Sequence, residues 1–325
     1  MKILLSLLFL ISLLFGDRIL KIASYNVENL FDLKRDGHEY IEYIPNTYSN
    51  WNQKNYNIKL KNLSRVIKDI DADIIALQEI ESLQALKDLR YTLKQSGLYY
   101  QYYKIANRKN TTIKVAILSK IPFKYTKEIF VTSSYRYRNI LETKFTINNK
   151  ELYIFVNHWK SKSGPESQRI VSAKALRKRV KELGKEKNII LLGDFNSDYE
   201  EYIRFKRKRK HNDTGGKTGI NHVLNSIPTQ KQKFYNLWYD TDQAHRWTYI
   251  FRREKEALDN ILISNSLQNK NGIYYKKSSI EAFKPSYLLK GKNIYRWKTT
   301  WKKPRRHKGK GYSDHLAVIA EFVVK

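Results

Sequence analysis

The chain has 325 residues, of which 41% are hydrophobic and 29% charged, so it can bury a sizeable core and does not have the composition of a membrane protein. It contains no cysteine, which excludes a disulfide framework, a lipoprotein anchor and a thiolate metal site. Its 62 Lys and Arg against 31 Asp and Glu give a net charge of +31, which predicts a polyanionic partner: nucleic acid, an anionic membrane surface or an acidic glycan.

The first residues predict an export signal at 1–16, followed by one catalytic domain at 17–325. Lys2 precedes an apolar run, Ile3–Phe15, that ends at Gly16. Such a run is short for a spanning helix and matches the core of a signal peptide. Leu14, three residues before the cut, makes the cleavage site only acceptable, and a retained interfacial anchor is the alternative. A cleaved signal predicts a secreted or periplasmic protein.

Strand-like apolar runs alternate with helical patterns along the rest of the chain. In chain order we predict a strand at Arg18–Ala23, a helix from Ile58, a strand at Ile74–Leu77, a helix from Leu83 that stops at Gly97, strands near Thr112–Ser119, Ile140–Ile147 and Glu151–Val156, a helix at about Glu166–Leu183, and strands near Ile189–Leu192, Asn260–Ile263 and Leu316–Val324. These are too many strands for one parallel sheet. The prediction is therefore one α/β domain, a four-layer α/β/β/α sandwich of two mixed sheets with helices outside.

Polar residues suited to metal binding and proton transfer stand at the predicted strand ends. They follow or precede strands at Asn26, Glu79, His158, Asp194, Asn196, Asp259, Asp314 and His315. In a mixed sheet, the end of one strand and the start of another share an edge, so these side chains can converge on one cleft. Singly, each is more often a turn, capping or structural residue.

These residue types suit phosphodiester hydrolysis. That reaction needs a hard cation, a positioned water and groups that stabilise charge on the phosphate. Carboxylate and amide oxygens are the ligands that Mg²⁺ prefers, and the sequence has none of the usual zinc spacings. We therefore expect Mg²⁺ or Mn²⁺ as the cofactor, with a second divalent ion left open.

Six segments, taken in order, resemble the endonuclease/exonuclease/phosphatase superfamily and most closely bacterial extracellular deoxyribonucleases. They are SYNVENLFD from Ser24, Gln78-Glu79, NHWKS from Asn157, GDFN from Gly193, Leu258-Asp259-Asn260 and Ser313-Asp314-His315. The resemblance extends from Ile19 to Val324. It implies a metal-dependent nuclease that acts on DNA, with RNA left open, and leaves 5′-phosphate ends. Internal cutting is expected, although the sequence leaves internal and terminal cutting open. Binding through backbone phosphates predicts low sequence specificity.

The resemblance also implies a role for each metal-binding position. Glu79, helped by Asn26, would hold the ion. Asp314 would order a water of the ion or bind a second ion.

For catalysis, the resemblance implies that Asp194 orients and deprotonates the attacking water and that Asn196 holds a phosphate oxygen. His315, oriented by Asp259, would stabilise or protonate the phosphate, and His158 would face it as the second acid or base. The sequence does not decide which histidine is the acid.

Arg138 resembles the arginine that contacts phosphate in this family, and two basic stretches also predict substrate contacts. The runs 204–210 and 290–310 lie close in sequence to the predicted site, and aromatic residues interleave with the second run. Most charge runs are only solvated surface, but this mixture suits phosphate contact and base stacking. Besides Arg138, the expected contacts are Lys160, Arg207, Lys208, Trp297 and Trp301.

Two other functions stay open. A phospholipid or inositol-phosphate hydrolase resembling sphingomyelinases could use the same fold, although the basic runs contain single aromatic residues and no apolar cluster. A DNA-binding or delivered toxin-type protein could have the same charge with little catalysis. No protein partner is implied, and a monomer is expected.

Overall fold

This computed structural model describes residues 17–108, 111–184, 186–205, 211–229 and 231–325. The predicted export signal at 1–16 and the predicted substrate contacts Arg207 and Lys208 lie outside the described residues. Among the residues described, none of the helices is both long enough and apolar enough to span a membrane.

Strands make up most of the described secondary structure. They are β1 (Arg18–Leu30), β2 (Ile74–Ile80), β3 (Tyr102–Ile105), β4 (Lys114–Ser119), β5 (Phe123–Ile129), β6 (Ile140–Ile147), β7 (Lys150–His158), β8 (Ile189–Asp194), β9 (Phe234–Asn236), β10 (Tyr249–Phe251), β11 (Glu254–Glu256), β12 (Asp259–Ser264), β13 (Ile273–Tyr275), β14 (Glu281–Ala282), β15 (Leu289–Lys290), β16 (Asn293–Ile294) and β17 (Val318–Val324).

Helices connect and cover these strands. The α-helices are α1 (Gln53–Ile70), α2 (Leu83–Gln95), α3 (Glu166–Leu183) and the single turn α4 (Glu201–Arg204). Short 3₁₀ turns lie at Ile41–Tyr43, Leu237–Asp240, Gln243–His245, Asn265–Gln268 and Ser286–Leu288, and a π-helical turn lies at Gly219–Val223.

The strands form two large mixed sheets. The first has the order β13-β17-β1-β2-β4-β3, with β14 also paired to β17, and the second has the order β5-β6-β7-β8-β12-β9. Each contains one parallel pair, β1 with β2 and β7 with β8. Parallel neighbours need a long crossover connection, and α1 and α3 provide it. The predicted sandwich of two mixed sheets is confirmed.

Alternation along β7 shows how the second sheet is buried on both faces. Ile154 and Val156 belong to the core that also contains residues of the first sheet, whereas Tyr153 and Phe155 pack in a second cluster with Leu176 of α3. Successive side chains of a strand point to opposite faces, so one strand contributes to both apolar layers. Four apolar residues in succession therefore fit a covered strand.

The helix ends follow from local sequence. Asn52 accepts a hydrogen bond from the backbone N–H of Asn55 at 3.1 Å and caps α1, and Ser82 caps α2 through the N–H of Ala85 at 3.0 Å. Each such cap stabilises its helix by about 1 kcal/mol. The predicted stop at Gly97 is confirmed, because α2 ends two residues earlier and Gly97 takes a φ of 90°.

Candidate active site

One edge of the second sheet brings three predicted residues into adjacent positions. β7 ends at His158, β8 ends at Asp194 and β12 begins at Asp259. In the strand register, Asp194 lies opposite His158 on one side and opposite Asp259 on the other. Glu79, on β2 of the first sheet, and His315, three residues before β17, reach the same place. Their side chains approach His158 and Asp194 respectively within 4.0 Å.

Backbone irregularities at the end of the first sheet direct side chains toward this edge. The pairing of β1 with β2 shifts register between Asn26 and Leu30, and that of β2 with β4 shifts between Gln78 and Ile80. Glu79 has a φ of 67° at the second shift. Bulges re-aim side chains and left-handed non-glycine residues cost energy, so such conformations mark functional sites.

The Oδ2 atom of Asp194 is the focus of the site. It accepts hydrogen bonds from the side-chain amides of Asn26 and Asn196, both at 3.1 Å, and lies 3.6 Å from Nε2 of His158 and 4.0 Å from Nε2 of His315. Its Oδ1 atom accepts from the backbone N–H of Asn196 at 2.8 Å. The carboxylate is thereby held in one orientation.

Burial raises the pKa of Asp194 to about 7; the cation of His315 opposes this rise and the carboxylate of Asp259 adds to it. A group with a pKa near the working pH is suited to general-base catalysis, because it is both available and basic enough to remove a proton. The environment of Asp194 therefore fits the role of proton acceptor for a water.

His315 has the environment of a cation. Its Nδ1 lies 2.7 Å from Oδ2 of Asp259, which also accepts from the hydroxyl of Thr248 at 2.6 Å, and its ring lies 4.8 Å from that of Tyr249. Although burial alone would lower it, the carboxylates of Asp259 and Asp194 raise the pKa of His315 well above its ordinary value. His315 is therefore protonated at neutral pH, with Nε2 facing Asp194.

His158 has the opposite environment. Burial lowers its pKa well below the ordinary value, and the cations of Arg138, His315 and Lys160 lower it further. Its Nδ1 has no hydrogen-bond partner within the described ranges. His158 is therefore neutral, and the structure separates the charge states of two histidines that the sequence leaves equivalent.

Glu79 offers oxygen to the same space. Its Oε1 accepts from Asn26 at 3.3 Å and its Oε2 from the backbone N–H of Asn29 at 2.9 Å. Burial and the charge of Asp314 raise its pKa. Two crowded carboxylates, Glu79 and Asp194, flank one amide, and a divalent cation would relieve their repulsion. This hard-oxygen donor set fits Mg²⁺ or Mn²⁺.

A second group of potential ligands is less suited to an ion. Atoms of Asp194, Asp259 and His315 all lie within 4.8 Å of one another. However, His315 and Asp259 are bonded to each other at 2.7 Å, and a protonated imidazole has no lone pair for a metal. The carboxylates of Glu79 and Asp194 are the better site.

The side chain of Asn26 lies between the two carboxylates predicted to surround the ion. Its Oδ1 accepts from the backbone N–H of Glu28 at 3.0 Å. A backbone N–H can only donate, so the amide nitrogen of Asn26 faces Glu79 and Asp194 and its oxygen does not. Asn26 holds the two carboxylates in place, and its part in binding the ion stays a prediction.

Basic residues border the site on the side of His158. Arg138 donates to the carbonyl of Trp159 at 3.3 Å, and Lys160 lies over the ring of Tyr137 at 6.0 Å. The positive charges of Arg136 and Arg138 contribute to a lowered pKa of Lys160, after burial. We call Arg136, Arg138 and Lys160 the cationic rim. Crowded cations of this kind favour an anionic ligand.

The two predicted tryptophans differ completely in placement. Trp301 is 98% exposed, so its ring is free to contact a ligand. Trp297 is 3% exposed, donates from Nε1 to Nδ1 of His307 at 2.8 Å and meets Trp51 edge to face. The prediction that Trp297 stacks on substrate is corrected, because its ring is part of the core.

The hydrogen bonds of His307 predict how stability responds to acid. Its Nδ1 accepts from Trp297, its Nε2 contacts the carbonyl of Glu42 at 2.8 Å, and burial lowers its pKa to about 4. The unfolded chain binds this proton near pH 6.5 and the folded chain only near pH 4. Stability should therefore fall below about pH 6.5, by on the order of 2 kcal/mol at pH 4.5.

This prediction is checked by urea unfolding between pH 7 and 4.5. His307→Gln has no titrating group and should lose less stability over the interval than the wild type does. Equal losses in both proteins would contradict the assignment.

Several solved structures have the same fold. A Bacteroides thetaiotaomicron endonuclease/exonuclease/phosphatase family protein has a TM-score of 0.61 and 17% identity, covering 96% of this chain and 97% of that one. D. rerio TDP2, complexed with a single-strand DNA product, has a TM-score of 0.60 and 15% identity, with 94% and 98% covered. B. thetaiotaomicron mannosyl-6-phosphatase has a TM-score of 0.58 and 16% identity, with 93% and 99% covered.

These neighbours share the two-sheet α/β sandwich of this chain. Among curated protein sequences none matches the chain. The family model described as Endonuclease/Exonuclease/phosphatase family matches residues 21–323, and the chain belongs to that family. The resemblance seen in the sequence is confirmed at this level, and with it a hydrolase of the family.

Proposed function

We propose that this protein is an exported deoxyribonuclease that requires a divalent metal, cuts DNA internally with little sequence specificity and leaves 5′-phosphate ends. One observation carries the proposal. Oδ2 of Asp194 lies within 4.0 Å of a neutral and a cationic histidine and bonds to two asparagine amides. This is an arrangement for placing a water against a phosphate.

The protein groups have distinct tasks in the proposed hydrolysis. Asp194 accepts a proton from the water as the water oxygen attacks phosphorus. The P–O3′ bond breaks, and the departing 3′ oxygen takes a proton from solvent. The amide of Asn196 and the imidazolium of His315 hold the non-bridging phosphate oxygens, where negative charge develops. His158, being neutral, faces the phosphate as the second polar group, and Asp194 returns its proton to solvent. A divalent ion held by Glu79 supplies a Lewis acid when bound.

Charge favours DNA as the substrate. The net charge of +31 exceeds what solubility requires, and the cationic rim lies beside His158. Phosphate contacts of this kind bind a nucleic acid backbone without reading its sequence. The TDP2 neighbour, which is complexed with single-strand DNA, supports the same choice. Export is proposed from residues 1–16, which have the pattern of a signal peptide.

The test is an assay of the purified protein on circular and linear DNA with Mg²⁺, with Mn²⁺ and with EDTA. Cutting of circles that EDTA abolishes is expected. Sphingomyelin vesicles and a sugar phosphate are assayed in parallel, because phosphatases share this fold. Hydrolysis of either with no DNA cleavage would overturn the proposal.

The cationic rim predicts a specific salt dependence. If Arg138 contacts one backbone phosphate, Arg138→Ala should reduce the slope of log affinity against log salt by about one, since one fewer counterion is released. DNA binding is measured in EDTA at several salt concentrations. Lys61→Ala, an exposed residue of α1, is the control and should keep the wild-type slope. An unchanged slope in Arg138→Ala would remove Arg138 from the substrate contacts.

A further inference from the structure

An arginine from the second basic run is held between two carboxylates at the active site. Arg296 donates from Nε to Oε1 of Glu28 at 2.9 Å, and its Nη2 contacts that same oxygen. Nη2 also lies 3.1 Å from Oδ2 of Asp314, which directly precedes His315 in the chain. Glu28 is only 6% exposed. A guanidinium is always charged, so these two acids are permanently paired with a cation.

The backbone around Arg296 is fixed from both sides. The N–H of Tyr312 donates to the carbonyl of Tyr295 at 2.9 Å, and the N–H of Lys298 donates to Lys310 at 2.8 Å. These bonds pair the segment before the Ser313-Asp314-His315 sequence with the segment that contains Arg296. The arginine is therefore held in register with Asp314.

Two further contacts fix this register. Gly311 has a φ of 90°, and a Cβ added there would lie 1.9 Å from the carbonyl oxygen of Arg296, so the two backbones can meet only at a glycine. The buried Lys59 donates to the carbonyls of Glu28 and Tyr312 at 3.0 and 2.9 Å and ties β1 to the same segment. The backbone at Arg296 is thus fixed, and its half-exposed side chain is held by the two carboxylates of Glu28 and Asp314.

Asp314 is the position at which sequence resemblance leaves open a second metal ion. In this structure its Oδ2 is already paired with the guanidinium, and the neighbouring acid Glu28 is paired with the same group. Glu79, in contrast, accepts only neutral amide donors and has no arginine or lysine partner among the described ion pairs. Asp314 therefore has a fixed cationic partner, whereas Glu79 has none among the described ion pairs.

We propose that Arg296 is a built-in cation that takes the place of a second divalent ion at Asp314, so that this protein binds a single divalent ion, at Glu79. The inference uses the metal requirement of the proposed function but does not depend on the substrate. Arg296 is thus a positioning residue, which acts by neutralising Asp314 and Glu28.

The test counts the Mn²⁺ ions bound per chain. The number is measured by isothermal titration calorimetry and, independently, by electron paramagnetic resonance, whose signal gives the concentration of free Mn²⁺. The wild type should bind one ion. Arg296→Met removes the charge but keeps an unbranched side chain, and it should bind a second ion at the released Asp314 and Glu28. Arg296→Lys keeps a charge and should bind one. Arg305→Met, an exposed arginine of the same run, is the matched control and should bind one ion.

A second pair of variants keeps the test decisive if Arg296→Met does not fold, as judged by circular dichroism. Asp314→Asn should still bind one ion, whereas Glu79→Gln should bind none. Two ions in the wild type, one ion in folded Arg296→Met, or loss of the ion in Asp314→Asn would each overturn the inference. None of these measurements involves DNA, so a failure of the deoxyribonuclease proposal would be seen separately.

Discussion

His315→Ala is expected to lower the turnover number on plasmid DNA by at least about 100-fold, the range found for a positioned acid or base. The imidazolium lies 4.0 Å from the Asp194 carboxylate through Nε2 and is held by Asp259 at 2.7 Å. Alanine removes both the charge and the donor. DNA affinity should barely change, because most of it comes from other basic residues. Turnover is measured at saturating DNA and affinity in EDTA.

Asp259→Asn tests the origin of the charge on His315. The carboxylates of Asp259 and Asp194 raise the pKa of His315, so the active cation persists through neutral pH in the wild type. Without the charge of Asp259 the pKa of His315 falls. In a plot of activity against pH, the alkaline loss of activity should therefore begin at a lower pH in Asp259→Asn than in the wild type. His245→Ala, exposed on a 3₁₀ turn, should match the wild type. Retained DNA affinity with no loss of activity in His315→Ala would show that His315 does not act in catalysis. That outcome would favour the alternative of a DNA-binding protein with little catalysis of its own.

The sequence predicts the elements that have a long periodic pattern. The helix from Glu166 to Leu183 and the strands around β6 to β8 agree with the structure within about two residues. The edge strand β5 has no such pattern, because most of Phe123–Ile129 is only partly buried or exposed. β1 was predicted to end at Ala23, yet it continues to Leu30. Most of its polar residues from Ser24 onward are buried by pairing partners distant in sequence, which periodicity does not reveal.

The same distinction applies to the site. Asp194, Glu79 and His315 could be identified because each stands at the end or start of a strand, and the two sheets bring those ends together. Arg296 could not be identified among 62 basic residues, since its contact with Glu28 spans 268 positions. The burial of Trp297 depends on that same packing. Composition identifies the basic segment, whereas only the folded structure shows that Trp297 is buried and that Arg296 pairs with two carboxylates.

Asp194→Asn is expected to reduce turnover further than any other single change, by about 1000-fold or more if Asp194 is the general base. The substitution is close in shape but removes the proton acceptor. It also introduces a local conflict. The backbone N–H of Asn196 bonds to Oδ1, which fixes the amide oxygen there and turns the new NH₂ group toward the amides of Asn26 and Asn196. Three donors then face one another.

Two measurements separate lost chemistry from lost folding in Asp194→Asn. Turnover should fall while DNA affinity in EDTA stays the same or rises, because a negative charge near the phosphate is removed. The melting temperature should fall moderately, as expected for unpaired donors. The control is Asp71→Asn, which should keep both activity and affinity. Asp71 is exposed and precedes β2, so it lies at the end of that strand opposite to Glu79. Turnover within 10-fold of wild type in folded Asp194→Asn would mean that another group accepts the proton, and His158, neutral and 3.6 Å away, would then be the candidate.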